Sequence, residues 1–200
     1  ELHVRSSFSS EPGTIVYDPA KGHPKGEHME EPIITGIAFE KSEAKVTVAG
    51  VPDVPGKAAQ IFEIVAKTNA NIDMIVQNVS AADTNVTDIS FTVPLGDGRR
   101  VVEALEAGRE LLGFKSLQYD DQIAKVAVVG AGMRNASGVS AQLFRALYEA
   151  GINIEMISTS EIRVSVVTRA DVMEKAVRAL HTAFGLDADT EATVYAGTGR

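Results

Sequence analysis

The sequence predicts an α+β chain built from two tandem copies of one β-α-β-β-α-β module, and three observations predict it. First, one pattern occurs twice. Val46-Thr-Val-Ala-Gly50, Asp53-Val-Pro-Gly56 and Asn71-Ile-Asp-Met74 are answered by Val126-Ala-Val-Val-Gly130, Ser137-Gly138 and Asn153-Ile-Glu-Met156. The spacing is 80 residues for the glycine that ends the strand (50 to 130) and 82 for the later marks (56 to 138, 71 to 153). Self-similarity at a fixed period is the mark of a duplicated architecture. Second, the segment after each glycine turn is apolar at helical spacing: Ala58, Ile61, Phe62, Val65 and Ala66, then Val139, Leu143, Ala146 and Leu147. Third, the segments between helices alternate with period two, as half-buried strands do. Helices on one face of an antiparallel sheet, in that order, make the ferredoxin-like sandwich.

The elements follow in order. Residues 1–8 read as the end of a strand, with Leu2, Val4 and Phe8 apolar. Ser9 to Glu31 carries Pro12, Gly13, Pro19, Gly22, Pro24 and Gly26 and has the composition of an extended linker. Ile33 to Phe39 and Glu43 to Gly50 are strands, and Pro52 to Gly56 is a sharp turn. A helix covers Ala58 to Asn69, with Asn69 and Asn71 suited to ending it. Ile72 to Val79 and Thr87 to Val93 are strands, Gly98 to Leu112 a second helix, and Phe114 to Tyr119 a closing strand. The second module has a strand over Ala124 to Gly130 and a helix over Val139 to Ala150 ended by Gly151. Paired strands run over Ile154 to Ser158 and Ile162 to Thr168. A helix capped by Asp171 runs to Phe184, and Ala192 to Tyr195 closes the module. The expected divisions are 1–32 as a preceding strand and linker, 33–118 as the first module and 119–200 as the second.

Composition limits the function. The 200 residues are 44% hydrophobic, and no apolar run approaches the ~18 residues of a membrane span. The formal charge of −8 disfavours a nucleic-acid partner, which needs a basic face. With no cysteine, disulfides, thiolate metal sites and cysteine nucleophiles are excluded, and the composition fits a reducing cytoplasm. The first residues have no apolar signal region and no initiator Met, so a piece of a longer protein is expected. The triplets at Asn78, Asn85 and Asn135 are read as chance matches to the glycosylation pattern.

Catalytic and cofactor motifs fail one by one. Gly130-Ala-Gly132 follows a strand, but a dinucleotide fingerprint would place its third glycine at Asn135. There is no phosphate-binding loop. His3, His23, His28 and His181 are too scattered for a metal site. Asp120 and Asp121 are adjacent on a strand and point to opposite faces. What remains is the pair of glycine turns. Backbone N–H groups at a helix start hold a carboxylate, aided by the helix dipole. Asn71, Asp73 and Gln77, or Asn153, Glu155 and Ser160, offer acceptors for an ammonium. Together these suit an amino acid zwitterion. The competing readings are local: Asp53 as a helix cap, Asn71 as a helix end, Ser160-Glu161 as a hairpin tip.

At these residues the chain resembles a known family. Asp53-x-Pro-Gly-x-Ala58, Asn71-Ile-Asp73, Gln77-Asn-Val-Ser80, Tyr119-Asp-Asp121, Asn153-Ile-Glu155, Ser158-Thr-Ser-Glu-Ile162 and Val194-Tyr-Ala-Gly-Thr-Gly199 are similar to the regulatory region of aspartate kinase, of the actinobacterial lysine-pathway type. The likeness covers about residues 33–200, and residues 1–8 look like the last strand of that enzyme's kinase domain. The resemblance implies two ACT domains that bind end-product amino acids and inhibit the phosphorylation of L-aspartate by ATP. It implies L-threonine as effector, with L-lysine a further candidate, and no cofactor in this chain, since ATP serves the absent kinase domain. Effector positions carry over to Asp53, Val54, Pro55, Gly56, Lys57, Ala58, Asn71, Ile72, Asp73, Gln77, Val139, Ser140, Asn153, Ile154, Ser160 and Glu161. Lys57 departs from the polar or acidic residue common in such relatives. Because these positions come from both modules, the implied site lies where ACT domains of two chains meet. The implied partners are a second copy or a catalytic alpha subunit in an alpha2beta2-type assembly, with Met29 standing where a separate beta subunit would start. A purely structural dimerisation module is the alternative.

Overall fold

The computed structural model describes residues 2–4, 14–16, 34–79, 85–135 and 138–187, in two compact units, residues 1–31 and 32–200. In the first unit, strands β1 (Leu2–Val4) and β2 (Thr14–Val16) pair antiparallel, with Leu2 opposite Val16. The linker expectation for Ser9 to Glu31 therefore needs correction at Thr14-Ile-Val16. Three β-branched residues in a row favour extended pairing over the coil their glycine- and proline-rich surroundings imply.

The second unit holds both modules. Its elements are β3 (Gly36–Glu40), β4 (Glu43–Pro52), α1 (Lys57–Lys67), β5 (Ile75–Val79), β6 (Val86–Pro94), α2 (Gly98–Ala107), α3 (Arg109–Leu112) and β7 (Ser116–Asp120), then β8 (Ile123–Val129), α4 (Val139–Glu149), β9 (Met156–Thr159), β10 (Arg163–Arg169) and α5 (Met173–Ala183). One sheet has the order β5-β6-β4-β7 and the other β3-β8-β10-β9, with every pairing antiparallel. The orders match position for position, and β3 stands in the second sheet where β7 stands in the first.

That substitution changes the expected organisation. The strand near 33–39 was expected to open the first module. Instead it pairs with β8, Ile37 lying opposite Val128. The reason is occupancy. Both sides of β4 are taken, by β6 and β7, while Ile34 and Ile37 pack into the second core with Val126 and Val128. The strand expected at Ala192 to Tyr195 lies outside the described residues.

Each module has its own core. In the first, strand residues Val46, Val48, Ile89 and Phe91 meet helix residues Ile61, Val65, Val101 and Leu105. In the second, Val126, Val128, Val164 and Val166 meet Leu143, Leu147, Ala176 and Leu180. The alternation along β4, with Ala44, Val46 and Val48 fully buried and the residues between them half-buried, shows one face turned to the helices. Helix ends follow the sequence. Asn69 takes φ 57° just past α1. Gly151 takes φ 66° past α4, its N–H bonding Tyr148 O while Ile152 N–H bonds Leu147 O, a Schellman end. Two expectations differ. Asp171 lies in a 3-10 turn, and α5 starts at Met173 without a side-chain cap. The helix expected from Gly98 to Leu112 breaks at Gly108 into α2 and α3. Among the described residues no helix is long and apolar enough to cross a membrane.

Candidate functional site

The two turn glycines share one backbone conformation. Gly56 precedes α1 with φ 94° and ψ −13°, and Gly138 precedes α4 with φ 100° and ψ −11°. This is left-handed backbone that a side chain disfavours. Neither helix start carries a side-chain cap. The reading of Asp53 as a helix cap is thus set aside: glycine is the capping residue, and Asp53 is exposed, its N–H bonded to Asn85 O at 2.9 Å. At α1 the Lys57 N–H reaches Val54 O at 3.4 Å, and the next N–H groups, without a side-chain cap, face the turn with the positive end of the helix dipole.

Beside the first turn is a cavity of about 330 Å³ lined by Pro52 to Ala58 together with Gln77, Thr87 and Ile89. That is near the lower bound for small-molecule pockets and ample for a free amino acid. Thr87 is buried, and its hydroxyl donates to Asn78 O at 2.6 Å, leaving its oxygen able to accept. The chemistry on offer is donors at the helix start, an amide from Gln77, a hydroxyl, and an apolar floor from Ile89. Lys57 turns to the side, its ammonium donating to Leu111 O at 2.7 Å.

Of the sequence-predicted site residues, the cavity gathers Asp53, Val54, Pro55, Gly56, Lys57, Ala58 and Gln77. The others lie elsewhere in the chain. Asn71 is exposed in the connection after α1, and Ile72 packs on the first core. Asp73 bonds Lys125 of the second module at 2.5 Å. Val139 is buried in the second core with Ile154 against it, and Ser140 is half-buried in the first turn of α4. Asn153 is exposed, its carbonyl accepting the Thr168 hydroxyl at 3.0 Å. Ser160 and Glu161 are exposed between β9 and β10. Sequence reasoning left Thr87 and Ile89 out of the site. Their signal was the alternation along β6, where a threonine stands in the buried row with Ile89 and Phe91.

The acids of the two Asn-Ile-acid-Met segments are committed to lysines. Lys125 bonds Asp73 and also Glu43, each at 2.5 Å. Burial would lower the Lys125 ammonium, but these hydrogen bonds outweigh it and hold the group above the ordinary lysine value. Lys45 bonds Glu155, and Arg169 bridges Asp120 at 2.6 Å. No cluster of three or more metal-ligating side chains occurs among the described residues.

Comparison with known proteins agrees with this architecture. A model of the ACT domain matches residues 46–108 and 126–184. The aspartokinase of Mycolicibacterium smegmatis is 54% identical over 199 residues, covering 100% of this chain and 46% of that protein. The crystal structure of aspartokinase alpha and beta subunits superposes with a TM-score of 0.72 at 50% identity, over 76% of this chain and 99% of that one. The chain belongs to the ACT domain family, as the regulatory part of an aspartokinase. The regulatory subunit of aspartate kinase from Thermus thermophilus superposes with a TM-score of 0.71 at 38% identity, over 76% and 99% of the two chains. The chain spans about half the length of the curated aspartokinases it matches, at 46%. The two matched segments correspond to the two modules, so each module is an ACT domain, the second completed by β3.

Proposed function

We propose that this region senses L-threonine, with L-lysine a further candidate, and transmits feedback inhibition to an aspartate kinase that phosphorylates L-aspartate with ATP. The observation that carries the proposal is the uncapped start of α1 at Gly56, opening on a cavity that Gln77 and Thr87 also line. The effector carboxylate takes the N–H groups at the helix start, and Asp53 and Gln77 meet the ammonium and the side-chain hydroxyl. Val139, Ser140, Asn153, Ile154, Ser160 and Glu161 lie outside this cavity within one chain. They complete the site when the second ACT domain of another copy, or of a catalytic alpha subunit, docks beside the first. The solved relative with alpha and beta subunits supports an assembly of two kinds of chain, and we propose the alpha2beta2 type, in the cytoplasm.

A ligand that binds the docked arrangement better than the free one shifts the population toward it. A coupling of ~1–3 kcal/mol gives useful inhibition. The test is calorimetric titration of the chain with L-threonine, L-lysine and L-methionine while recording molecular mass. Threonine should bind and raise the mass, and Asp53→Ala should weaken it. Unchanged affinity in that variant refutes the assignment of Asp53. If the chain dimerises and no amino acid binds, a structural module is the correct reading.

A further inference from the structure

The duplicated Asn-Ile-acid-Met segment has an intrachain role that the effector reading does not use. Lys45 and Lys125 stand at the same place in the repeat, each just before the first core valine of its module, Val46 and Val126. Asp73 and Glu155 are likewise equivalent, each two residues after the repeated asparagine. The structure joins them crosswise. Lys125 of the second module bonds Asp73 of the first, and Lys45 of the first bonds Glu155 of the second. Met74 and Met156, which follow the two carboxylates in sequence, belong to a separate apolar cluster with Ile123 and Val167, and Val76 packs against it. The two methionines are again repeat equivalents. Residue i meeting j while j's counterpart meets i's counterpart is the signature of an isologous two-fold contact, here realised within one chain.

Each pair is reinforced. Lys125 also holds Glu43, and Arg169 joins Glu155 to Asp120 from the opposite flank. The Lys45–Glu155 pair lies largely out of water, its side chains 20% and 18% exposed, whereas Lys125 is 12% exposed but its partner Asp73 is 44% exposed, so the second pair sits at the edge of the contact. Removing Lys45 leaves Glu155 with only the more distant Arg169, and removing Lys125 leaves the largely buried Glu43 without its cation, so the lysines favour one mutual orientation of the modules.

We infer that the two crossed lysine–carboxylate pairs, with the apolar cluster that holds Met74 and Met156, form a clasp that makes the two ACT domains one cooperative body and fixes the angle between them. The clasp couples to the effector site because Asp73 and Glu155 lie two residues after Asn71 and Asn153, on the connections that lead into β5 and β9. Repositioning those connections moves Gln77 on β5. This second statement rests on the effector reading, while the clasp itself does not.

The test is differential scanning calorimetry of the ligand-free chain, followed by threonine titration. The wild type should unfold in one transition across both modules. Lys45→Glu with Lys125→Glu sets like charges against Glu155, Asp73 and Glu43, and should split it into two transitions. Adding Glu155→Lys and Asp73→Lys, with Glu43→Gln and Arg169→Gln so that neither swapped pair faces a like charge, should merge them again, a rescue that a merely misfolded protein would not show. In the split variant threonine should bind at least tenfold more weakly, although no reversed lysine lines the cavity. A single transition in the reversed variant, or separate transitions in the wild type, overturns the clasp. A split variant with wild-type threonine affinity overturns the coupling alone. A wild type that splits on reversal but binds no threonine leaves the clasp standing and removes the effector reading.

Discussion

Replacing Gly56 by alanine isolates the strain that shapes the candidate site. At φ 94° and ψ −13° a Cβ disfavours the backbone, while an added methyl would meet no heavy atom within 4 Å. The whole effect is therefore conformational, about 1–2 kcal/mol for a left-handed non-glycine residue, with alanine also a poorer N-cap than glycine. For a chain of this size that lowers the melting temperature by about 2–8 °C. Gly138→Ala should lower it by a similar amount, because its φ of 100° and ψ of −11° lie in the same left-handed region and an added methyl again meets nothing within 4 Å. Gly96→Ala is the control: it too meets nothing within 4 Å but has no positive φ, so its effect should stay within about ±0.5 kcal/mol. Thermal and urea unfolding measure all three. If Gly56→Ala proved as benign as Gly96→Ala, the turn would be adaptable, and the argument that glycine holds the helix start open would fail.

Other consequences can be measured directly. Leu143→Ala should destabilise by about 2–5 kcal/mol in urea unfolding, because Leu143 is fully buried in the second core, whereas Tyr148→Ala, at a position 80% exposed, should stay within about 0.5 kcal/mol. Lys125 is held above its ordinary value of 10.5, so its contribution to stability is complete below that pH and is lost as pH rises through the raised value. Burial, with Asp121 adding, raises Tyr119 as well, and it acts in the same alkaline window. An alkaline melting series should therefore decline less steeply for Lys125→Met than for the wild type, and equal slopes would contradict the pairing. Thr87→Tyr should fill the cavity and abolish a threonine-induced rise in melting temperature, and a preserved rise would move the site elsewhere.

Most of the fold was legible because each local signal agreed with the next. The period-two rows of β4 and β6, the helical spacing of α1 and α4, and the ends at Asn69 and Gly151 appear where the sequence places them. Local pattern does not carry partnership. Ile33 to Phe39 reads as a strand in either module, and only the filled flanks of β4 send it to β8. Thr14-Ile-Val16 was hidden because glycine and proline around it dominate the composition, while its pairing with β1 is non-local. The contiguous stretch from Asp53 to Ala58 was readable as a turn, since turn chemistry is local, and it lines the cavity. The second role of the Asn-Ile-acid-Met segments was not. A carboxylate next to an asparagine looks the same whether it awaits an ammonium ligand or a lysine of the other module, and the lysines at 45 and 125 are distant in sequence.

Feedback sensing of the kind proposed requires a free amino acid in the turn at Gly56. A crystal structure of the chain grown with L-threonine and L-lysine tests it most directly. One zwitterion should occupy the cavity, its carboxylate on the N–H groups opening α1 and its polar groups within reach of Asp53, Gln77 and Thr87. A cavity filled by water alone at saturating threonine and lysine would contradict it.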